Sequence, residues 1–182
     1  MVDEPTNLNA PPGRIFALKI FHRTELKGYA TVMNPIAPDC GRFETGAHIL
    51  GVRVYYEDTD FTGVVYHGNY LRFFERGRSE FLRVMGPPEG AGDDPGAFAV
   101  VRVEIDFRSP ARIHDALVIR TIFKGMKGPR MIFYQTAERD GRILCEANVI
   151  AVPIHADGRA RRPSAAELAL WGRYRPPDPP AG

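Results

Sequence analysis

Two hydrophobic periods divide this chain, and they do not overlap. Between residues 66 and 85 apolar side chains recur at helical spacing, as Tyr66, Tyr70, Phe73, Phe74, Gly77, Phe81, Val84 and Met85, while Arg72, Glu75, Arg76, Ser79 and Arg83 face away. From residue 98 to 154 the signal is that of strands. Residues 98–108 alternate strictly, with Val101, Val103, Ile105 and Phe107 on one face and Arg102, Glu104, Asp106 and Arg108 on the other. A single long amphipathic helix among strands has to bury its apolar stripe on a sheet face, and that restricts the chain to an α+β arrangement.

The turn chemistry orders the strands. The runs 116–123 and 131–137 are rich in β-branched and aromatic residues and flank Lys-Gly-Met-Lys-Gly-Pro, so they pair as a hairpin. Asp140-Gly141 is the strongest short hairpin signal in the chain and leads into a third run, 143–154. Upstream, Ile49 to Tyr56 alternates as another strand before a polar turn. The expected fold is a curved antiparallel sheet of about five strands wrapped around one long helix. Gly77 sits in the apolar stripe, where it costs about 1 kcal/mol relative to alanine, and this implies a close approach of the helix backbone to the sheet. Gly86-Pro87-Pro88 ends the helix. One helix cannot cover both faces and the edges of such a sheet, so self-association is expected.

Proline and turn formers separate the ends from this middle. Residues 1–45 hold Pro11-Pro12-Gly13, Asn34-Pro35 and Pro38-Asp39 around one modest apolar stretch, and they read as a largely irregular extension. Residues 46–154 form the domain, and 155–182 a tail. In that tail Pro163-Ser164 opens a short helix ending at Trp171, which is a candidate to dock on the domain, and Pro176-Pro177-Asp178-Pro179-Pro180 stops any continuation.

Composition excludes several classes. Hydrophobic residues at 44% and charged residues at 25% are ordinary for a globular domain. A net charge of +2 offers no case for a nucleic-acid partner. Cys40 and Cys145 stand in no redox or metal spacing, which fits a reducing cytoplasm. No apolar run approaches the ~18 residues of a transmembrane segment, and the start lacks a signal-peptide pattern. His22, His48, His114 and His155 are scattered without ligand spacing and read as surface or loop residues. Glu57, Asp58 and Asp60 are too few for a hard-cation site, so neither metal nor cofactor is expected.

The chemistry concentrates in residues 54–83. Acidic Glu57, Asp58 and Asp60 crowd the turn before the helix, whose first-turn N–H groups have no intrahelical partners. A carboxylate beside such donors could attack, or activate water against, a carbonyl whose oxygen those donors hold. A lone Asp before a helix is more often a cap or turn residue, so spacing alone leaves both readings open.

Asp60, Gly63, Val64, Val65, Tyr66, His67 and Tyr70 spell D-x-x-G-V-V-Y-H-x-x-Y. This pattern resembles the hotdog-fold thioesterases of the 4-hydroxybenzoyl-CoA thioesterase superfamily, and Tyr55 to Asp60 followed by Tyr66-His67 most resembles its Tol-Pal-associated acyl-CoA thioesterase branch (YbgC-type). The resemblance covers about residues 48–154. It implies that Asp60 is the catalytic carboxylate, as nucleophile or as general base, and that the His67 backbone N–H polarises the thioester carbonyl while its imidazole orients water or the leaving thiolate. Val64, Val65 and Tyr66 would line the acyl channel. Lys127, in a turn with Lys124 and Arg130, would meet the phosphates of coenzyme A, although three cations on a hairpin serve solubility equally well. Branches acting on 4-hydroxybenzoyl groups carry an aromatic residue and proline where this chain has His67 and Gly68, and tryptophan where it has Phe73, so an aliphatic acyl group is expected.

The resemblance further implies acyl-CoA hydrolysis without a cofactor by a homodimer or homotetramer with sites at the dimer interface. Acyl carrier protein is an alternative carrier. The location would be cytoplasmic, at most peripheral to the inner membrane. Two rivals stand beside it. A hotdog enoyl-CoA hydratase carries its Asp and His five apart with an intervening Asn-Pro; here Asp60 and His67 are seven apart. The other rival is an interaction protein that binds acyl carrier protein or an envelope complex with little catalysis.

Overall fold

The structure, a computed structural model, describes residues 38–88 and 97–176. Most of the extension expected to be irregular therefore lies outside the described residues, as do Pro177 to Pro180. The sheet has six strands. They are β1 (Arg42–Glu44), β2 (Ala47–Arg53), β3 (Ala97–Phe107), β4 (Ala116–Lys127), β5 (Arg130–Arg139) and β6 (Arg142–Ile154), in the spatial order β1-β2-β4-β5-β6-β3. Every neighbouring pair is antiparallel. The sixth strand is β1, three residues drawn from the segment expected to be irregular. It joins because Phe43 packs its ring against Phe81, 4.9 Å away, and Tyr174, 4.5 Å away.

The long helix α1 (His67–Met85) lies across the faces of β2, β4 and β5. Its stripe of Tyr70, Phe73, Phe74, Gly77 and Phe81 is buried. Gly77 is the point of closest approach: a Cβ there would stand 2.8 Å from Thr121 Oγ1 and 2.9 Å from Ile119 Cγ2. The polar groups beneath it are all satisfied. Gln135 Nε2 donates to Phe74 O and to Thr121 Oγ1, both at 2.9 Å, and its Oε1 accepts from Arg78 Nη1 at 2.7 Å. Arg78 is thus drawn under the helix, apart from the exposed Arg72, Arg76 and Arg83.

Asp140-Gly141 makes the expected two-residue turn with both φ angles positive, 52° and 74°. A register shift between Val100 and Arg102 takes Val101 out of the alternation and leaves it exposed. β2 ends at Arg53, short of the expected Tyr56, because Val54 N donates to Asp115 O and the Asp58 carboxylate then accepts from Tyr55 N at 2.9 Å, curling Tyr56–Asp58 into a 3-10 turn.

The second helix, α2 (Ala165–Gly172), is capped by Ser164, whose hydroxyl accepts from Glu167 N. Arg161 clamps Glu167 through two nitrogens and holds its carboxyl down to about 2. Trp171 docks as expected: it is buried, 5.6 Å from Phe81 in a stacked pair and 4.7 Å from Phe123. His48 departs from its expected surface position. It is fully buried in β2, with Nε2 2.9 Å from Cys40 O, Nδ1 unpaired, and a pKa pulled down by burial. No helix among the described residues is long and apolar enough to cross a membrane.

Candidate active site

The loop that carries Asp60 is fastened from both sides. Within it, Asp60 N donates to Val64 O and Gly63 N to Asp60 O, each at 3.0 Å. Gly63, at φ 74°, supplies the left-handed residue that the reversal requires. Outside it, Val65 N donates to Ala111 O at 2.9 Å and Ile113 N to Gly63 O at 3.2 Å, which pins the loop along residues 111–113. Asn69, in the first turn of α1, ties the helix to the same place. Its buried Nδ2 donates to Asp58 O at 2.9 Å, and Asp58 O also accepts from Tyr66 N at 2.9 Å. Asp58 is therefore a structural carboxylate, as the cap reading of a pre-helix Asp describes.

Asp60 is placed differently. Its carboxylate is solvent-exposed, and Oδ1 accepts from Thr62 N at 2.8 Å and from Thr62 Oγ1 at 2.5 Å. The Thr62 hydroxyl and then its N–H hold the carboxyl below the usual aspartate range, so the group is ionised at neutral pH. Oδ1 holds the loop through Thr62.

α1 starts at His67 with Tyr66 as its N-cap, without a side-chain cap and without an acidic residue in the first turn. Asn69 N turns back to Tyr66 O at 2.8 Å, which leaves the N–H groups of His67 and Gly68 as the donors at this positive helix end. Gly68 has a steric reason to be glycine: a Cβ would come 3.0 Å from the Tyr66 ring. That ring is folded back over the helix start, 4.3 Å from the His67 ring.

Beside these donors lies a cleft of about 300 Å³. Val64 and Val65 form one wall and His67 and Tyr70 another, closed by the Phe107–Pro110 segment after β3. Of the residues that the resemblance assigned to substrate, Val64, Val65 and His67 meet here. Tyr66 does not line the cleft, and neither does Asp60, which stands one hydrogen bond from the wall residue Val64. Lys127 is at the far end of β4, eleven residues from Ala116 beside the loop, or about 36 Å along the strand. It does not line the cleft.

Tyr70 and the 107–110 segment are site residues that sequence reasoning passed over. Tyr70 belongs to the motif but had no assigned role. Its hydroxyl accepts from the buried Ala111 N at 3.0 Å, and burial raises its pKa. Arg108 lines the cleft with its charge already engaged, since Nε donates to Glu146 Oε1 at 2.9 Å and Nη2 contacts the same oxygen. Tyr134 donates to the other Glu146 oxygen; burial and that carboxylate push its phenol up to about 12. Among the described residues no group of His, Cys, Asp and Glu side chains is arranged to hold a metal ion.

Comparison with known proteins gives this geometry a context. Residues 54–181 match the model of the thioesterase-like superfamily. The chain is 41% identical over 126 residues, 68% of its own length and 92% of the relative's, to the acyl-CoA thioester hydrolase YbgC of Escherichia coli O6:H1. Over 103 residues, 56% of this chain and 71% of the relative, it is 43% identical to the acyl-CoA thioesterase YbgC of Helicobacter pylori. Among solved structures, a probable thioesterase from Bartonella henselae superposes with a TM-score of 0.59 at 41% identity, covering 65% of this chain and 98% of that one. A 4-hydroxybenzoyl-CoA thioesterase shares the fold at a TM-score of 0.61 and 21% identity, with 68% and 97% of the two chains covered.

Proposed function

This chain belongs to the thioesterase-like superfamily, and from that premise we propose that it hydrolyses acyl-CoA to free acid and coenzyme A, with Asp60 supplying the carboxylate and the start of α1 the oxyanion donors. The observation that carries the reading is an uncapped helix start, with the His67 and Gly68 N–H groups given no hydrogen-bond partner among the described residues, beside a loop that holds an ionised carboxylate and next to an apolar cleft.

The chemistry divides between these parts. The thioester oxygen accepts from the helix-start amides, each such donor contributing about 3 kcal/mol as negative charge develops on that oxygen. Asp60 Oδ2 either attacks the carbonyl carbon, giving a mixed anhydride that water opens, or takes a proton from the attacking water. In both routes the C–S bond breaks, the thiolate leaves as coenzyme A, and the acid retains one oxygen from water. The His67 imidazole, which is exposed, would orient water or the departing sulfur.

The reading includes a homodimer, and a homotetramer as its further assembly. What supports it is β3, an eleven-residue edge strand that exposes Val100, Val101 and Phe107. Pairing there would bring a second chain to the cleft, whose wall contains Phe107. Asp60, exposed in one chain, would then face an enclosed site, and Lys127 would meet the phosphates of coenzyme A. An aliphatic acyl group, acyl carrier protein as an alternative carrier, and a cytoplasmic location at most peripheral to the inner membrane complete the reading.

Thiol release from butanoyl-CoA and dodecanoyl-CoA, followed beside the loss of the conjugated absorbance of crotonyl-CoA, tests it. The account expects thiol. Loss of crotonyl absorbance without thiol would instead indicate a hydratase. Tight binding of acylated carrier protein with no thiol from any substrate would indicate an interaction protein.

A further inference from the structure

We infer that Asp115 is a positioning residue for hydrolysis, fixing through Arg112 and Arg139 the turn to which both the Asp60 loop and the start of α1 are fastened. The inference rests on the thioesterase reading and adds to it a residue that does not line the cleft. Asp60 and the helix-start amides belong to different elements, so a carboxylate can act on a thioester held at those amides only if something keeps the two in register. The segment 111–113 does this. Ala111 O accepts from Val65 N at 2.9 Å and Ile113 N donates to Gly63 O at 3.2 Å, which grips the Asp60 loop at two points. Ala111 N donates to the Tyr70 hydroxyl at 3.0 Å, which grips the first turn of α1.

The turn that follows is not one the backbone prefers by itself. His114 stands at φ 70°, a left-handed conformation that residues other than glycine keep only where their surroundings enforce it. Backbone bonds to the end of β2 supply part of that enforcement: His114 N donates to Val54 O at 3.0 Å and Val54 N to Asp115 O at 2.9 Å. The Asp115 side chain supplies the rest. Its Oδ2 accepts from Arg112 N at 2.8 Å, closing the turn on itself, and also from Nη1 of Arg139, the last residue of β5. One oxygen of a partly buried carboxylate thus ties the turn both to itself and to the sheet.

Removing that oxygen takes the acceptor from Arg112 N–H and the counter-charge from Arg139, and His114 is then held by its backbone partners alone. Relaxation of the turn shifts Ala111 and Ile113 relative to each other, and with them the Asp60 loop relative to α1. A misplacement of about 1 Å between reacting groups costs up to about 10²-fold in rate. Ground-state contacts to the substrate are untouched, because Asp115 makes none in the cleft. The loss therefore belongs in kcat and not in KM.

The test measures kcat and KM separately with butanoyl-CoA, well below each protein's melting temperature, for the wild type, Asp115→Ala, Asp115→Asn, Arg139→Leu and Asp115→Ala combined with Arg139→Leu. Asp115→Ala should lower kcat at least about tenfold with KM within about twofold. Asp115→Asn keeps an oxygen for both donors and should recover kcat to within about threefold of the wild type. Arg139→Leu should lower kcat at least about threefold, and adding it to Asp115→Ala should cost nothing further, since the two act through one contact. A role confined to stability would lower the melting temperatures and leave kcat per folded chain as it is. Wild-type kcat in a folded Asp115→Ala, or in Arg139→Leu should Asp115→Ala not fold, would overturn the inference while leaving hydrolysis intact; so would losses that multiply in the double variant, or a change confined to KM. Absence of thiol from the wild type would remove the underlying reading as well.

Discussion

Thr62 donates twice to a single oxygen of Asp60, the carboxylate proposed to act on the thioester. The two donors favour the ionised form, so the carboxyl lies below its ordinary value of 3.8. A carboxylate that attacks or accepts a proton acts in its deprotonated form, so the acid limb of kcat/KM should follow this group, with activity lost as pH falls through it. Thr62→Val removes the hydroxyl donor and should move that limb upward, toward the ordinary aspartate value. A pH–rate profile for the two proteins checks this; a limb that does not move, or that moves to lower pH, contradicts it. The same residue-level view separates the neighbouring acids. Asp58 is turned inward and occupied by Tyr55 N, while Asp60 is exposed to solvent.

At the scale of elements, Gly77 shows how closely helix and sheet meet. Alanine is the better helix former by about 1 kcal/mol, yet its Cβ would stand under 3 Å from Thr121 Oγ1 and Ile119 Cγ2. Overpacking of this kind costs about 1–3 kcal/mol, and Thr121 cannot yield without breaking its bond from Gln135. Gly77→Ala should therefore lower the unfolding free energy by about 1–2 kcal/mol in urea titration; a stabilised variant would show that the helix has room there. This contact was legible in the sequence, since a glycine in an apolar helical stripe carries its own signal. So were α1, β4, β5, β6 and the Asp140-Gly141 turn, where local period and turn chemistry agree with the final packing. Less legible were features decided by residues distant in sequence. The end of β2 is set by the Asp58 carboxylate and Asp115, and β1 by the rings around Phe43. His48 has no local mark of burial. Of the site, Val64, Val65 and His67 were readable from one motif, but the Phe107–Pro110 wall arrives from about forty residues downstream, and no local pattern ties it to them. Lys127 stands at the opposite end of twelve-residue β4 from Ala116 and does not line the cleft.

For the whole molecule, an open sheet with β3 at its edge invites a second chain. Light scattering should find a dimer or a larger even assembly, and Val101→Lys, which puts a charge on that exposed edge, should weaken association at least about tenfold. A wild-type monomer, or a Val101→Lys protein that associates like the wild type, would rule out pairing through β3. A dimer would also explain why Asp60 meets solvent in an isolated chain, and thereby links assembly to catalysis. The most direct measurement of that catalysis is the turnover of a short acyl-CoA by Asp60→Asn and Asp60→Ala proteins whose assembly and melting temperature match the wild type. Loss of thiol release by about 10²–10⁴-fold in both is expected of a carboxylate that attacks the thioester or activates water; near-wild-type turnover in both would contradict it.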